Sequence, residues 1–165
     1  TGKTTLARGL AAAFGAPWTP EAARLVAEAS PEPLSTRTVE PIARLALSLA
    51  DAATATAAPW VIHDTDLVST VVYARHYYGT CPAWIETEAH ARLSDGYLLC
   101  APDLPWVADG IRDRADARRT LLADFLATLH TFGARVTLVG GTGAGRLAAA
   151  RAAAEAVRAG LSRSR

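Results

Sequence analysis

The stretch that decides the fold is Thr1-Gly2-Lys3-Thr4-Thr5, at the start of the 165-residue chain. Gly-Lys-Thr is the second half of G-x-x-x-x-G-K-[ST], the loop that wraps the phosphates of a bound nucleotide. Lys3 is the only lysine, since the other 16 of the 17 basic residues are arginine. A lysine presents a compact charge on a flexible stem, which suits the terminal phosphates of ATP. The half-motif therefore predicts a phosphate site at the start of a helix, where backbone N–H groups and the helix dipole favour anions.

The phosphate-loop (P-loop) motif is incomplete, because its first glycine and the buried strand that normally precedes it are absent. The chain also contains no methionine, not even at its first position. We therefore expect that the sequence is N-terminally truncated, that it begins inside its own P-loop, and that the first strand of its sheet is missing.

Length and composition favour a single globular domain over residues 1–165. Half of the residues are hydrophobic, 20% are charged, and the net charge is +1. So small a charge predicts no nucleic-acid partner, and the apolar runs are too short and too often interrupted to predict a membrane span. Cys81 and Cys100 form no metal-ligand spacing, and we interpret them as unpaired thiols in a reducing cytoplasm.

Helical and strand-like segments alternate along the chain, a pattern typical of an α/β protein with a parallel sheet and helices on both faces. Apolar periodicity and capping residues predict helices over residues 4–14, 20–29 with Thr19 as N-cap, 39–58, 67–78, 116–132 and 146–158. Short apolar runs predict strands at 60–63, 97–100 and 135–139. The predicted fold is a P-loop kinase-like sheet, and the tail to Arg165 is expected to fray.

Asp64-Thr65-Asp66 follows the apolar run 60–63, so both carboxylates are expected at the end of a buried strand. Strand ends in open α/β sheets face the ligand crevice. There, one acid can hold Mg²⁺ through water, with the hydroxyl of Thr4 as a second ligand, while the other accepts the proton of an attacking hydroxyl. The alternative for Asp66 is that it only caps the following helix.

The segment 106–114 (W-V-A-D-G-I-R-D-R) lies between a predicted strand and a predicted helix. Gly110 provides a pivot from which Arg112 and Arg114 can swing over the phosphates and stabilise charge in the transition state. The alternative is a solvated loop whose surface ion pairs contribute little.

Residues 140–145 (G-G-T-G-A-G) look like a dinucleotide fingerprint only superficially, because they follow the last strand and no βαβ unit remains. We interpret them as a loop that admits a flat adenine ring against bare backbone, with Thr142 and Gly143 beside it; a flexible connector is the alternative. Glu21 and Arg24 lie one helical turn apart and form either an ion pair or a substrate contact.

Four segments occur in one order along nearly the whole chain: T-G-K-T-T-L-A at 1–7, E-x-x-R at 21–24, H-D-T-D-L-V-S-T at 63–70 and W-V-A-D-G-I-R at 106–112. They resemble the NadR-like ribosylnicotinamide kinase family of the P-loop NTPase superfamily. The resemblance implies a five-stranded parallel sheet and transfer of the ATP γ-phosphate to the 5′-hydroxyl of nicotinamide riboside, a step of NAD biosynthesis. Some members of this family carry an adenylyltransferase domain upstream.

Together, the residue patterns and the resemblance predict a set of site residues. The catalytic candidates are Lys3, Asp64, Asp66 and Arg112. The candidates for binding ATP are Gly2, Lys3, Thr4, Thr5, Arg114, Thr142 and Gly143, and those for Mg²⁺ are Thr4 and Asp64. The candidates for binding the nucleoside are Trp18, Glu21, Arg24 and Asp109.

The chain departs from the family where its members sandwich the nicotinamide between aromatic rings. Pro20 and Ala22 flank Glu21, and the following helix offers only aliphatic Leu45 and Leu49. Trp18 lies nearby in the sequence and is the candidate replacement.

Two alternatives to a small-molecule kinase stay open. One is a P-loop ATPase of the AAA type that couples nucleotide binding to a partner. Such ATPases usually end a hydrophobic strand with an Asp-Glu pair, and Asp64-Thr65-Asp66 lacks that glutamate. The other alternative is a non-catalytic remnant.

Overall fold

The computed structural model describes residues 2–103 and 117–163 of the protein. Within these ranges the helices are α1 (Lys3–Phe14), α2 (Ala22–Ala29), α3 (Val39–Thr54), α4 (Leu67–Tyr78), α5 (Ala83–Ala91), α6 (Ala117–Thr131) and α7 (Gly143–Ser162). The strands are β1 (Trp18–Thr19), β2 (Ile62–His63), β3 (Tyr97–Cys100) and β4 (Val136–Val139). None of these helices is both long enough and apolar enough to cross a membrane.

The strands run parallel, as the alternation of helices and strands predicts, and they form two pairs. β1 pairs with β2 so that Trp18 lies opposite Ile62, and β3 pairs with β4 so that Tyr97 lies opposite Val136. Helices connect the strands of each pair, which is the crossover that parallel strands require. The predicted α/β class is therefore confirmed.

A cavity of about 530 Å³, here called the sheet cavity, separates β2 from β3. Its wall includes Trp60 and Gly96 before the two strands, and Asp64 and Pro102 after them, so the cavity extends over the length of a strand. Leu6 of α1 contributes to its apolar lining. In the described part of the chain, β2 and β3 each pair with a strand on one side only.

Helices cover both faces of the β3–β4 pair, because successive side chains of a strand point to opposite faces. Tyr97 packs against a core formed mainly by α3, α4, α5 and α6, in which Val71 and Ile85 are fully buried. Leu98 packs against a second core that α1 and α7 build around Leu10. The predicted placement of helices on both faces is thus confirmed.

The prediction that Thr19 caps the second helix is wrong. Thr19 lies in β1, where its carbonyl accepts a hydrogen bond from the N–H of Asp64 at 3.0 Å. Its hydroxyl bonds the Nδ1 atom of His63 at 2.8 Å. The carbonyl and the hydroxyl of Thr19 are therefore both used in contacts with the neighbouring strand segment, and the helix begins later, at Ala22, after the N-cap residue Glu21.

The predicted bounds of two other helices also need correction. α3 ends at Thr54 instead of near residue 58, and Ala57 adopts a positive φ of 53° that a helix does not allow. α7 spans 20 residues, beginning at Gly143 and ending at Ser162, because its alanine-rich sequence sustains the helix past the predicted end. α5 was not predicted at all, since its pattern is only nine residues long.

Candidate active site

The first turn of α1 presents the predicted phosphate-binding residues. α1 begins at Lys3, directly after Gly2, whose φ of 71° lies in the left-handed region that glycine adopts without steric strain. The carbonyl of Gly2 accepts a hydrogen bond from the N–H of Leu6 at 3.0 Å. Lys3 lines the sheet cavity, and Thr5 is exposed in the same turn. A helix N-terminus with a basic side chain is an arrangement that binds anions.

Thr4 joins the start of α1 to the end of β2. Its hydroxyl donates a hydrogen bond of 2.6 Å to Oδ2 of Asp64, a residue 60 positions later in the chain. Asp64 is 9% exposed and directly follows β2, as the sequence predicts. The structure therefore places this strand-end carboxylate beside the Gly-Lys-Thr segment and not at the opposite end of the sheet.

The oxygens of Thr4 and Asp64 suit a magnesium ion. Mg²⁺ prefers hard oxygen ligands and usually takes only one or two from the protein, with water and phosphate oxygens completing its shell. A hydroxyl and a carboxylate that already lie within 2.6 Å of each other fit that requirement. The described residues contain no group of three or more His, Cys, Asp or Glu that could hold a metal ion by themselves.

Asp66 is half-buried at the N-terminus of α4, and both of its carboxylate oxygens accept hydrogen bonds. Oδ1 accepts from the N–H of Val68 at 3.0 Å, so Asp66 does cap α4. Oδ2 accepts from the hydroxyl of Tyr97 at 2.6 Å. Burial raises the pKa of Asp66, while the Tyr97 hydrogen bond and the charge of His63 act in the opposite direction.

His63 and Tyr97 complete this network, and sequence reasoning assigned neither of them to the site. Burial lowers the pKa of His63, and the neighbouring Asp66 partly offsets this shift. Burial and the charge of Asp66 raise the pKa of the Tyr97 phenol, which therefore stays protonated and remains a donor. The only sequence signal for Tyr97 is a polar group on an otherwise apolar strand.

A second cavity, of about 590 Å³, lies between α2, the loop 30–34, α3 and α4; we call it the α2–α4 cavity. Its wall carries the carboxylates of Glu21, Glu32 and Asp66. Among the described residues, no Lys, Arg or His lines it. The cavity is therefore acidic on one side and otherwise lined by apolar, hydroxyl and aromatic groups.

One face of α4 and the two residues before it form a wall common to both cavities. Thr65, Asp66, Ser69, Tyr73 and Tyr77 line the sheet cavity as well as the α2–α4 cavity. Ser69, Tyr73 and Tyr77 are four residues apart and thus lie on the same side of the helix. Asp66 therefore lies where the two cavities meet.

Glu21 and Arg24 form the ion pair that the sequence allows, with Nε of Arg24 4.0 Å from Oε2 of Glu21. Glu21 is 5% exposed and lines the α2–α4 cavity, whereas Arg24 does not line it. Trp18, the candidate replacement for the missing aromatic rings, lines neither of the two cavities. Its ring instead lies under the guanidinium of Arg8, at 4.7 Å.

The glycine loop before α7 is tied together by Arg146, whose side chain is buried. Nη1 donates to Oδ1 of Asp103 at 2.7 Å and to the carbonyl of Gly141 at 2.9 Å. Oδ2 of Asp103 accepts from the N–H of Gly141 at 2.6 Å. Thr142 and Gly143 are exposed at the start of α7 and line neither cavity. Their predicted contact with adenine stays a prediction.

Three other predicted site residues, Asp109, Arg112 and Arg114, lie outside the described residues.

A Gly-Lys-Thr segment that opens a helix, beside an acid at the end of a parallel strand, defines a P-loop nucleotide-binding protein. A family model described as an AAA domain matches residues 1–146. The chain therefore belongs to this AAA domain family, which is a P-loop family. No curated protein matches the chain.

Two crystal structures of NadR share this fold. The structure of NadR with NAD and AMP-PNP has a TM-score of 0.72 and 24% identity, and the match covers 93% of this chain and 45% of that chain. The structure of NadR with NR has a TM-score of 0.77 and 24% identity, and the match covers 94% of this chain and 48% of that chain. The chain thus spans less than half the length of both matched chains.

Proposed function

We propose that the protein transfers the γ-phosphate of ATP to the 5′-hydroxyl of a nucleoside, with nicotinamide riboside as the expected acceptor. The observation that carries this proposal is the 2.6 Å hydrogen bond between Thr4 and Asp64. It brings the P-loop remnant to the strand end that leads into the α2–α4 cavity. The NadR structures with AMP-PNP and with NR support the proposal as complexes of a protein with the same fold.

In this proposal the first turn of α1 holds the phosphates, and Thr4 and Asp64 hold Mg²⁺. The bound ion would neutralise charge on the β- and γ-phosphates. Asp66, which lines both cavities, accepts the proton of the attacking hydroxyl. Arg112 and Arg114 would stabilise the transferred group, Thr142 and Gly143 would contact adenine, and Asp109 would contact the nucleoside.

The charge of the α2–α4 cavity favours a nucleoside acceptor over a nucleotide. A phosphate on the acceptor would bring negative charge next to Glu32 and Asp66, and no basic side chain among the described residues of the wall would balance it. An uncharged or cationic ring avoids this repulsion. Nicotinamide riboside, with its positively charged pyridinium ring, has the required charge.

The test is an assay of the full-length protein with ATP, Mg²⁺ and a panel of nucleosides and nucleoside monophosphates. We expect a phosphorylated nucleoside as product, with the monophosphates at least about 10-fold poorer because like charges in a site cost several kcal/mol. In Asp66→Asn, ATP should still bind while transfer is lost. Transfer at the wild-type rate in this variant would leave Asp66 with its capping role alone.

A partner-coupled ATPase is the second candidate, and the match to an AAA domain model is the observation that favours it. This function predicts release of inorganic phosphate without any nucleoside, at a rate that a protein partner raises. In the same assay, phosphate release that is unaffected by nucleosides would support the ATPase, and the absence of any turnover would support a remnant.

We also propose that the sheet cavity receives a further parallel strand, so that residues 1–165 form most of one P-loop domain. The cavity extends along the facing edges of β2 and β3 over a strand's length, and its lining is largely apolar. Hydrogen exchange in the full-length protein tests this. Backbone amides on the facing edge of β3 should be protected, and their rapid exchange would contradict the proposal.

A further inference from the structure

The α2–α4 cavity contains an aromatic wall that no sequence pattern assigned. Tyr73 and Tyr77 lie four residues apart on α4, with ring centroids 6.2 Å apart and ring planes only 16° from parallel. Both rings line the cavity. Tyr77 is 45% exposed, although large aromatic side chains usually bury most of their surface.

Neighbouring rings hold both tyrosines in place. Phe125 and Tyr73 are in edge-to-face contact at 5.6 Å and 84°, and His76 and Tyr77 at 4.9 Å and 88°. Nδ1 of His76 in turn lies 2.7 Å from Oδ2 of Asp124 on α6. A ligand that stacks on rings already fixed by such contacts loses less conformational entropy on binding.

The opposite wall leaves room for a planar ring. It consists of small or aliphatic side chains of α2 and α3, namely Ala22, Ala23, Ala27, Ile42 and Ala46. Glu32 adds negative charge to the cavity wall. An electron-poor or cationic ring is attracted by the faces of tyrosine rings as well as by carboxylates.

We propose that Tyr73 and Tyr77 form the wall against which the aromatic base of the acceptor stacks. This inference rests on the proposed nucleoside kinase function and locates the base on α4 instead of beside Trp18. The chain thereby has a base-binding surface at a place different from the one that its sequence suggested.

The experiment compares Tyr77→Leu with Tyr77→Phe, using nicotinamide riboside and, as an acceptor without a base, methyl β-ribofuranoside. In Tyr77→Leu the KM for the nucleoside should rise about 3- to 10-fold, the value of one aromatic pair. The KM for ATP and the KM for the methyl riboside should stay unchanged. Tyr77→Phe, which keeps the ring, should remain within about twofold of the wild type.

Trp84→Leu is the matched control, because Trp84 lies on α5, outside both cavities, and its loss removes a similar aromatic surface. It should leave the nucleoside KM unchanged. Equal changes for the nucleoside and the methyl riboside in Tyr77→Leu would overturn the inference. If the wild type phosphorylates no nucleoside, the proposed function fails. Calorimetric titration with nicotinamide riboside then tests the wall separately. Binding that is weaker in Tyr77→Leu would support the stacking wall, and the absence of binding would exclude it.

Discussion

The starts of α1 and α7 look alike in sequence but differ in where their basic residue lies. Each lies beside a glycine with positive φ, Gly2 at 71° and Gly141 at 85°. Each carries a basic residue in its first turns, Lys3 and Arg146. At α1, the neighbouring Thr4 reaches across to a strand-end acid, and Lys3 lines a cavity.

At α7 the positive charge of Arg146 is paired within the protein. Arg146 is 4% exposed and donates to Asp103 and to the backbone of the glycine loop. A phosphate bound there would have to replace Asp103 as the partner of this guanidinium. The comparison shows that glycine, a helix start and a basic residue do not by themselves define a phosphate site, because a buried guanidinium and an ammonium group at a cavity wall have different access to a ligand.

Loss of Lys3 should have the largest effect on activity. Lys3→Ala should lower kcat/KM about 10²- to 10³-fold, as expected when one positioned charge is removed from a transition state. The melting temperature should fall less than in Arg146→Met, because Lys3 is less buried than Arg146. Steady-state kinetics and thermal unfolding measure the two quantities, and Arg8→Ala, one turn further along α1, serves as the control. Near-normal turnover of Lys3→Ala would remove the P-loop assignment.

Loss of Arg146 should have the opposite effect, since it should lower the stability of the fold more than the activity. Arg146→Met removes hydrogen bonds from a charged group to the carbonyls of Gly141 and Ala101, so the free energy of unfolding should fall by about 2 kcal/mol. The KM for ATP should change less than in Lys3→Ala. Urea unfolding tests this, with Arg151→Met as the control, since Arg151 is exposed and its contacts with Glu155 and with the ring of Phe14 contribute little. A large loss of ATP affinity with unchanged stability would instead make α7 a second phosphate site.

The glycine loop itself should make a smaller contribution. Gly141→Ala should cost about 1–2 kcal/mol, because an L-residue is strained at a φ of 85° and a Cβ there would meet no neighbour within 4 Å. Strain, not a clash, would therefore cause the loss. Gly145 has a similarly open environment but no positive φ, so Gly145→Ala should be neutral or stabilising in the same urea unfolding experiment. Equal effects of the two substitutions would contradict this explanation.

The position of Asp64 beside the start of α1 could be anticipated from the sequence, because local patterns locate each of the two segments. α1 and α4 end where expected, since Gly15 and Gly79 follow an apolar helical period and both adopt positive φ. Asp64 was expected near the P-loop because it follows an apolar run, and parallel strand ends share one edge of a sheet. β1 escaped prediction since a two-residue strand has no period to recognise.

The contacts of Arg146 near α7 and of Asp66 before α4 could not be predicted in the same way, because no rule about strand ends connects their partners. Arg146 and Asp103 are 43 residues apart, and Tyr97 and Asp66 are 31 apart. No spacing rule connects such pairs before the fold has brought them together. Trp18 shows the reverse case, since it is near Glu21 in sequence yet lines neither cavity.

The smallest expected effect concerns the pH dependence of the α7 anchor. The N–H of Gly141 and the guanidinium of Arg146 lower the pKa of Asp103 below its ordinary 3.8. A lowered pKa means that the stabilisation is present above about pH 4, where the unfolded chain also ionises, and is lost as the pH falls through the folded-state value. The difference in melting temperature between wild type and Asp103→Asn should therefore be largest near neutral pH and shrink on acidification. In the Arg146→Met background this pH dependence should be weaker. If the pH dependence is the same in both backgrounds, the N–H of Gly141 and not Arg146 lowers the pKa of Asp103. The difference between Arg146 and Lys3 would then be one of burial alone.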